Sequence, residues 1–369
     1  MNGVERGMYP LRFKEILRNY GFGDRWIVRE FEKIDLPEDH RVGETWEVCD
    51  RPGESSQIVN GWMQGKSLRQ AIDECGTALM GRAIVERFGM QFPLLIKLLD
   101  ASNVLGEHMH PSDELVAERG LDDFSGKTEA WYMLRARPEA TILCGHKPGI
   151  GPDAFRQALV EDRSRECMAA YEAGVGDSFL LHAGTIHYSA GGLLFYEIMQ
   201  NSDINIGLRQ RKDTGDVDAW AESAVAAVHF EDGFDCRTRP VSIELGANRR
   251  TWLIVCDYFA VERLDLKEAY GLEMDGERFR FITAIEGKVN VNSAGGSERL
   301  DSGWSCLLPA DLGSVAIVPK GEAAVLVAYV PDLVRDVVAP LRAQGVVDAA
   351  IRDLGGRSEL NSLNGLTGG

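Results

Sequence analysis

Apolar positions along the chain gather in short runs more often than at helical spacing. Thr45-Trp-Glu-Val48, Ala130-Trp-Tyr-Met-Leu134, Thr141-Ile-Leu-Cys144, Ser178-Phe-Leu-Leu181 and Leu193-Leu-Phe-Tyr-Glu-Ile-Met199 are rich in β-branched and aromatic residues. Gly, Pro or charged clusters bound each of them, which predicts strands. The most apolar run, Phe92–Leu99, is interrupted by Lys97 and has the length of a buried strand. It falls well short of the roughly 20 apolar residues of a membrane span. After a polar stretch near 209–217 the pattern resumes over Thr251–Val261, Phe279–Ile285, Lys288–Val291, Ser314–Val318 and Ala323–Val330.

Helical spacing is sparse. Ser67 followed by Gln70 reads as a capping box, with Leu68, Ile72 and Cys75 on one face behind it. Asp153 is expected to cap a short helix carrying Phe155, Ala158 and Leu159. Two more helices are expected over Asp218–Val228 and Leu333–Gln344. Many short strands between turns predict a mainly β chain of sandwiches or jelly rolls. Two β-rich units joined near residues 210–235 account for the length, and the Gly-, Ser- and Asn-rich stretch Gly355–Gly369 is expected to fray.

Charge narrows the function. Forty basic side chains against 57 acidic ones give a formal charge of −17. Nucleic-acid binding needs a basic face, so that class is set aside. Seven cysteines without a Cys-x-x-Cys read as reduced thiols. The start has no basic region followed by an apolar core, so no signal peptide is expected and the location expected is cytoplasmic.

Candidate chemistry lies in the histidines. Five of the seven fall between 108 and 187, and two of them form His108-Met109-His110. Residues i and i+2 of a strand share a face, so the two imidazoles can converge, about 7 Å apart at the backbone. Glu129 follows just before an aromatic strand, and His187 closes Ala183-Gly-Thr-Ile-His187. Three imidazoles and a carboxylate suit Zn²⁺, Fe²⁺, Mn²⁺ or Co²⁺. This order of His-x-His, Glu and a later Gly-x-x-His resembles the two metal motifs of the cupin superfamily.

The likeness extends further. Gly43-Glu-Thr-Trp-Glu-Val48, Phe92-Pro-Leu-Leu-Ile-Lys-Leu-Leu-Asp-Ala101, His110-Pro-Ser-Asp113, Gly126-Lys-Thr-Glu-Ala-Trp-Tyr132, Ala183-Gly-Thr-Ile-His187 and Glu197-Ile-Met-Gln-Asn-Ser-Asp203 resemble type I mannose-6-phosphate isomerases. Tyr258-Phe-Ala-Val-Glu-Arg263, Glu286-Gly287 and Leu307-Leu-Pro-Ala310 resemble the second cupin unit of that family. The resemblance implies two cupin (double-stranded β-helix, jelly-roll) units with a few short helices. The first, 1–212, would bind metal and carry a helical insertion. The second, 213–355, has no His-x-His and is expected to be metal-free, and 356–369 would be a flexible tail.

It also implies a zinc-dependent aldose–ketose isomerase that interconverts mannose 6-phosphate and fructose 6-phosphate, acting as a monomer or homodimer on a small sugar or sugar phosphate. The implied ligands are His108, His110, Glu129 and His187, with His108 standing where the family has Gln. Lys127, two residues before Glu129, and Glu197 are the implied proton-transfer groups. Departures matter as well. Gly106 stands where a phosphate-touching Ser is usual, and Gly207 stands where an essential Arg is usual. Arg209 is then the candidate replacement, with Arg211 and Lys212 completing a local basic cluster. Tyr188 and His182, the latter in place of a Pro, are weaker substrate-binding candidates. These departures keep open a non-phosphorylated sugar or sugar acid, or a non-catalytic sugar-binding bicupin. Gly149-Ile-Gly-Pro-Asp-Ala154 imitates a dinucleotide fingerprint, but Pro152 sits inside it and no βαβ unit is expected around it.

Overall fold

The structure, a computed structural model, describes residues 7–31, 33, 36–37, 40–121, 125–210 and 215–367. Among these, strands dominate and pair antiparallel throughout. A six-stranded sheet runs in the order Ile16–Arg18, Glu44–Val48, Leu94–Ala101, Leu193–Gln200, Glu129–Ala136, Ser178–Leu181. A five-stranded sheet, ordered Ile206–Gly207, Leu105–Met109, His187–Ser189, Thr141–His146, Met168–Glu172, closes over it. Leu99, Trp131, Phe179 and Phe195 from the first sheet meet Ile142 and Cys144 from the second in the core between them.

The plan repeats downstream. A second six-stranded sheet runs in the order Val241–Leu245, Asn248–Val255, Ala260–Leu266, Ala323–Tyr329, Arg280–Glu286, Ser305–Leu308. Its four-stranded cover is Tyr270–Met274, Gly313–Pro319, Lys288–Ser293 and Gly296–Asp301. Trp252, Leu264, Ile282, Val291, Ile317 and Val325 fill the space between. Two double-sheet jelly rolls of this kind make a bicupin fold.

The two six-stranded sheets pack back to back. Leu94, Ile96, Leu98, Tyr196 and Ile198 share one core with Ile254, Val261, Phe281 and Leu326. Covered on both faces, Leu94–Ala101 and Leu193–Gln200 are buried along their whole length and read as continuous apolar runs rather than alternating ones. A further link comes from the N-terminal stretch. Leu11 and Leu307 exchange both backbone hydrogen bonds at 2.8 Å, extending the downstream sheet at its Ser305–Leu308 edge.

Several expectations need correction. Thr251–Val261 is not one strand but a hairpin, because the chain turns at Cys256–Phe259 between Asn248–Val255 and Ala260–Leu266. The helix near 153 starts earlier than expected. Gly151 is its N-cap, Pro152 takes the first turn where no amide is needed, and Asp153 sits in that turn without capping. The next helix is Val217–Val225, capped by Asp216 rather than beginning at 218. Over 333–344 the chain is widened at Leu333–Val338 and regular only at Ala339–Ala343, since Pro340 withholds an amide from the ladder. The Ser67 capping box forms as read, with both reciprocal bonds, ahead of Leu68–Cys75.

The largest correction concerns the last residues, which do not fray through Thr367. Leu363 and Thr367 are buried, Arg357 pairs with Asp235, and the Ser358 hydroxyl and Glu359 amide both donate to Glu231 at 2.8 Å. The backbone polar groups of this Gly- and Asn-rich stretch are satisfied by Asn361 and Asn364 side chains, so it packs without regular structure. All seven cysteines are free, and no helix of the described residues is long and apolar enough to cross a membrane.

Candidate metal centre

Three neighbouring segments bring the implied ligands together. His108 lies on Leu105–Met109, and His110 follows one residue after that strand ends. His187 opens His187–Ser189 and pairs in register with His108 across the sheet. Glu129 opens Glu129–Ala136 on the facing sheet. His187 Nε2 lies 2.9 Å from His108 Nε2 and 3.2 Å from Glu129 Oε1, and His110 Nε2 lies 3.1 Å from Glu129 Oε2. The three imidazole donor atoms all fall within 4.8 Å of one another. Four ligands at metal bonds of about 2.0–2.1 Å around a tetrahedral ion sit about 3.3 Å apart.

Each imidazole is held in one tautomer. Nδ1 of His108, His110 and His187 lies 2.7, 3.0 and 2.9 Å from the carbonyl oxygens of Gly106, Ile204 and Thr185. A carbonyl only accepts, so each Nδ1 carries the hydrogen and each Nε2 presents a lone pair. Two bare nitrogens 2.9 Å apart repel unless a cation lies between them. His110 Nε2 and Glu129 Oε1 are buried and find no hydrogen-bond partner. Burial first, and then the cationic Lys127, lower His110 to about 3; burial and its histidine neighbours push His108 well below the usual imidazole range. Burial alone would raise the Glu129 carboxyl, but Lys127 and His110 outweigh it and hold it well below the carboxylate range. His108 and His110 are thereby held neutral and Glu129 ionised, the ligand forms a divalent first-row metal requires.

His108 and Glu129 of the cluster line a cavity of about 800 Å³. Lys127 is buried there, its Nζ 3.2 Å from Glu129 Oε2 and 3.4 Å from Asn205 Oδ1. Glu197 also faces the cavity and accepts from Trp131 Nε1 at 2.8 Å. Burial raises its carboxyl to about 7, with Lys97 opposing and Glu129 adding to the rise. Lys97 itself stays charged: burial pulls its pKa down, but the surrounding carboxylates, Glu44 and Glu197 first, push it above the usual lysine value. Arg209 lines the cavity with a half-exposed side chain and lies 3.8 Å from Asp162. Gly106 and Gly207 line it too, and a Cβ at either would meet nothing within 4 Å.

Two candidates lie elsewhere. Tyr188 follows His187 on the strand, so alternation turns it to the opposite face. There it packs with Phe155, Leu159 and Ala221, and Arg165 lies 5.0 Å over its ring. His182 sits in the turn after Ser178–Leu181, where it is buried near the Gly355 backbone and among His229, Glu231 and Asp257. It therefore faces the docked C-terminal segment, not the metal cavity. Arg211 and Lys212 lie outside the described residues.

Sequence reasoning gave no role to Lys97, Glu44, Asp203 or Asn205, all of which line the cavity. Lys97 had a readable signal, a lone charge at the centre of an otherwise apolar strand. Tyr20, Phe22 and Trp220 at the cavity wall had none, since they come from loops and a helix distant in sequence. The dinucleotide-like motif leads into a helix on the outer face of an antiparallel sheet, not into a βαβ unit.

Comparison with known proteins places this geometry. Residues 11–148 match the model of the phosphomannose isomerase type I catalytic domain, and residues 248–329 match the model of the mannose-6-phosphate isomerase cupin domain. Mannose-6-phosphate isomerase ManA of Bacillus subtilis is 28% identical over 86% of this chain and 98% of its own length. Mannose-6-phosphate isomerase of Salmonella typhimurium is 33% identical over 26% of this chain and 24% of its own. Among solved structures, mannose 6-phosphate isomerase from Bacillus subtilis superposes with a TM-score of 0.74 at 22% identity, covering 87% of this chain and 99% of that one. That likeness speaks for the fold. The catalytic-domain model falls on the sheets that carry His108, His110 and Glu129, and the cupin model falls on the downstream barrel in the same chain order. The chain belongs to the type I phosphomannose isomerase family, as a divergent member.

Proposed function

We propose that the chain is a metal-dependent aldose–ketose isomerase acting on mannose 6-phosphate and fructose 6-phosphate. The observation that carries the reading is the meeting of three imidazoles and one carboxylate beside a cavity that His108, Glu129, Lys127 and Glu197 line together. His108, His110, Glu129 and His187 would hold Zn²⁺ or another divalent first-row metal, which supplies Lewis acidity and orientation to a bound carbonyl and hydroxyl pair. The reaction moves one proton from C2 to C1 of the sugar and one from the C2 hydroxyl to the C1 oxygen, through a cis-enediol. A group that takes and returns protons near neutral pH suits it. Glu197, raised to about 7 and oriented by Trp131 Nε1, has that character. Lys127 supplies positive charge beside the reacting oxygens. Arg209 is the side chain offered to the phosphate, completed by Arg211 and Lys212.

A second reading keeps the centre and changes the substrate to a non-phosphorylated sugar or sugar acid. It rests on the open space at Gly106 and Gly207 and on the approach of Arg209 to Asp162. A coupled assay decides between them. Turnover of mannose 6-phosphate with Zn²⁺, lost after chelation and restored by metal, supports the first. Turnover of free sugars alone supports the second. Sugar affinity without turnover in either assay would leave only a binding protein.

A further inference from the structure

The two six-stranded sheets carry equivalent strands in the same order, so their residues can be matched by register. In the upstream sheet Trp46, Lys97, Glu197 and Trp131 stand side by side on four adjacent strands. In the downstream sheet Trp252, Glu262, Val327 and Ile282 do the same. Two residues back along a strand stays on the same face. From Trp131 that leads to Glu129, and from Ile282 to Arg280. From Trp46 it leads to Glu44, and from Trp252 to Arg250. Arg280 therefore holds the counterpart of the metal-ligand position, Arg250 that of Glu44, and Glu262 that of Lys97. At all three positions the charge is reversed.

These three side chains, with Tyr270, surround a cavity of about 100 Å³. Glu262 is already committed. Arg250 Nε and Nη2 donate to its two oxygens at 2.7 and 2.8 Å, and the Tyr329 hydroxyl donates to it as well. Arg280 has no such partner: among the described residues no carboxylate pairs with it, and its guanidinium lies 4.1 Å from the centroid of the Tyr329 ring. Two arginines against one glutamate leave an excess positive charge in a concave, partly buried setting, which focuses an anion-attracting potential.

We infer that the downstream barrel binds a small phosphoryl oxyanion at Arg280, in the place where the upstream barrel gathers donors for a cation. The guanidinium fork matches phosphoryl oxygens with charge-assisted bonds. The cavity exceeds the roughly 10–15 Å³ that one water needs and is of a size for a small oxyanion. The occupant is thus free phosphate, or the phosphoryl end of a larger molecule whose remainder stays outside.

Calorimetric titration of the full-length, metal-loaded protein with orthophosphate tests this, using Arg280→Gln, Arg280→Lys and Arg209→Gln. Arg280→Gln should weaken phosphate binding at least tenfold. Arg280→Lys, which keeps the charge but loses the fork, should weaken it less and gives the same reading if the glutamine variant fails to fold. Arg209→Gln, which removes the side chain offered to phosphate in the other cavity, should leave the Arg280-dependent binding in place, and bound metal should be equal in all four proteins. Displacement of orthophosphate by mannose 6-phosphate at the Arg280-dependent site would identify a sugar phosphate as a source; no displacement would identify the free ion. Absence of phosphate binding, binding indifferent to Arg280, or a loss that tracks Arg209 would overturn the inference.

Discussion

At the scale of single residues the metal centre is a matter of lone pairs. Three carbonyl oxygens dictate which imidazole nitrogen carries hydrogen, and Glu129 supplies the one negative charge among the four proposed ligands. Glu129→Ala should reduce bound metal from about one equivalent to background by elemental analysis; a full equivalent retained would refute the ligand set. Glu197 sets a second expectation. Its carboxyl rises from 4.5 to about 7 on folding, chiefly through burial. An acid raised in this way favours the folded state while protonated. Its contribution is complete below about pH 4.5 and fades as pH climbs through 7. Glu197→Gln should flatten that part of the plot of Tm against pH, whereas an unaltered slope would place the titration on another group. The meeting of His108, His110, Glu129 and His187 was legible because motif spacing reports strand alternation. Tyr188 and His182 were misread for a related reason: neighbourhood in sequence does not tell on which side of a sheet or turn a side chain emerges.

Single elements show where local signals suffice. The reciprocal capping bonds of Ser67 and Gln70 stand in the structure as the sequence pattern implies, since both partners lie within three residues. Ser67→Ala should cost about 1 kcal/mol and lower Tm measurably; an unchanged Tm would mean that packing of Leu68 and Ile72 alone holds the helix. Elements decided by distant partners were harder to read. Thr77–Met80 and Arg82–Phe88 went unnoticed because their capping glycines, Gly76 and Gly81, carry no side-chain signal, and Gly81 packs its backbone against Glu277 from the downstream barrel. The turn at Cys256–Phe259 was hidden by apolar residues on both sides, which belong to a core shared by two sheets.

For the whole molecule, the back-to-back packing of the six-stranded sheets explains why the longest apolar runs do not alternate, and why Lys97 is so conspicuous within one of them. Closure of the C-terminal segment onto Glu231 and Asp235 is a property of the assembled chain that composition alone misstates. Removal of residues 356–369 should therefore lower stability by at least the roughly 2 kcal/mol of burying one leucine such as Leu363. Equal denaturation midpoints for the shortened and full chains would restore the frayed tail. The exchange of hydrogen bonds between Leu11 and Leu307 has a temporal side. The segment around Leu11 finds its strand partner only after roughly 300 further residues have emerged, and contacts that distant in sequence form slowly. Until then the nascent chain carries an apolar stretch without its mate, so the ribosome-bound intermediate is the stage at which a chaperone has most to protect.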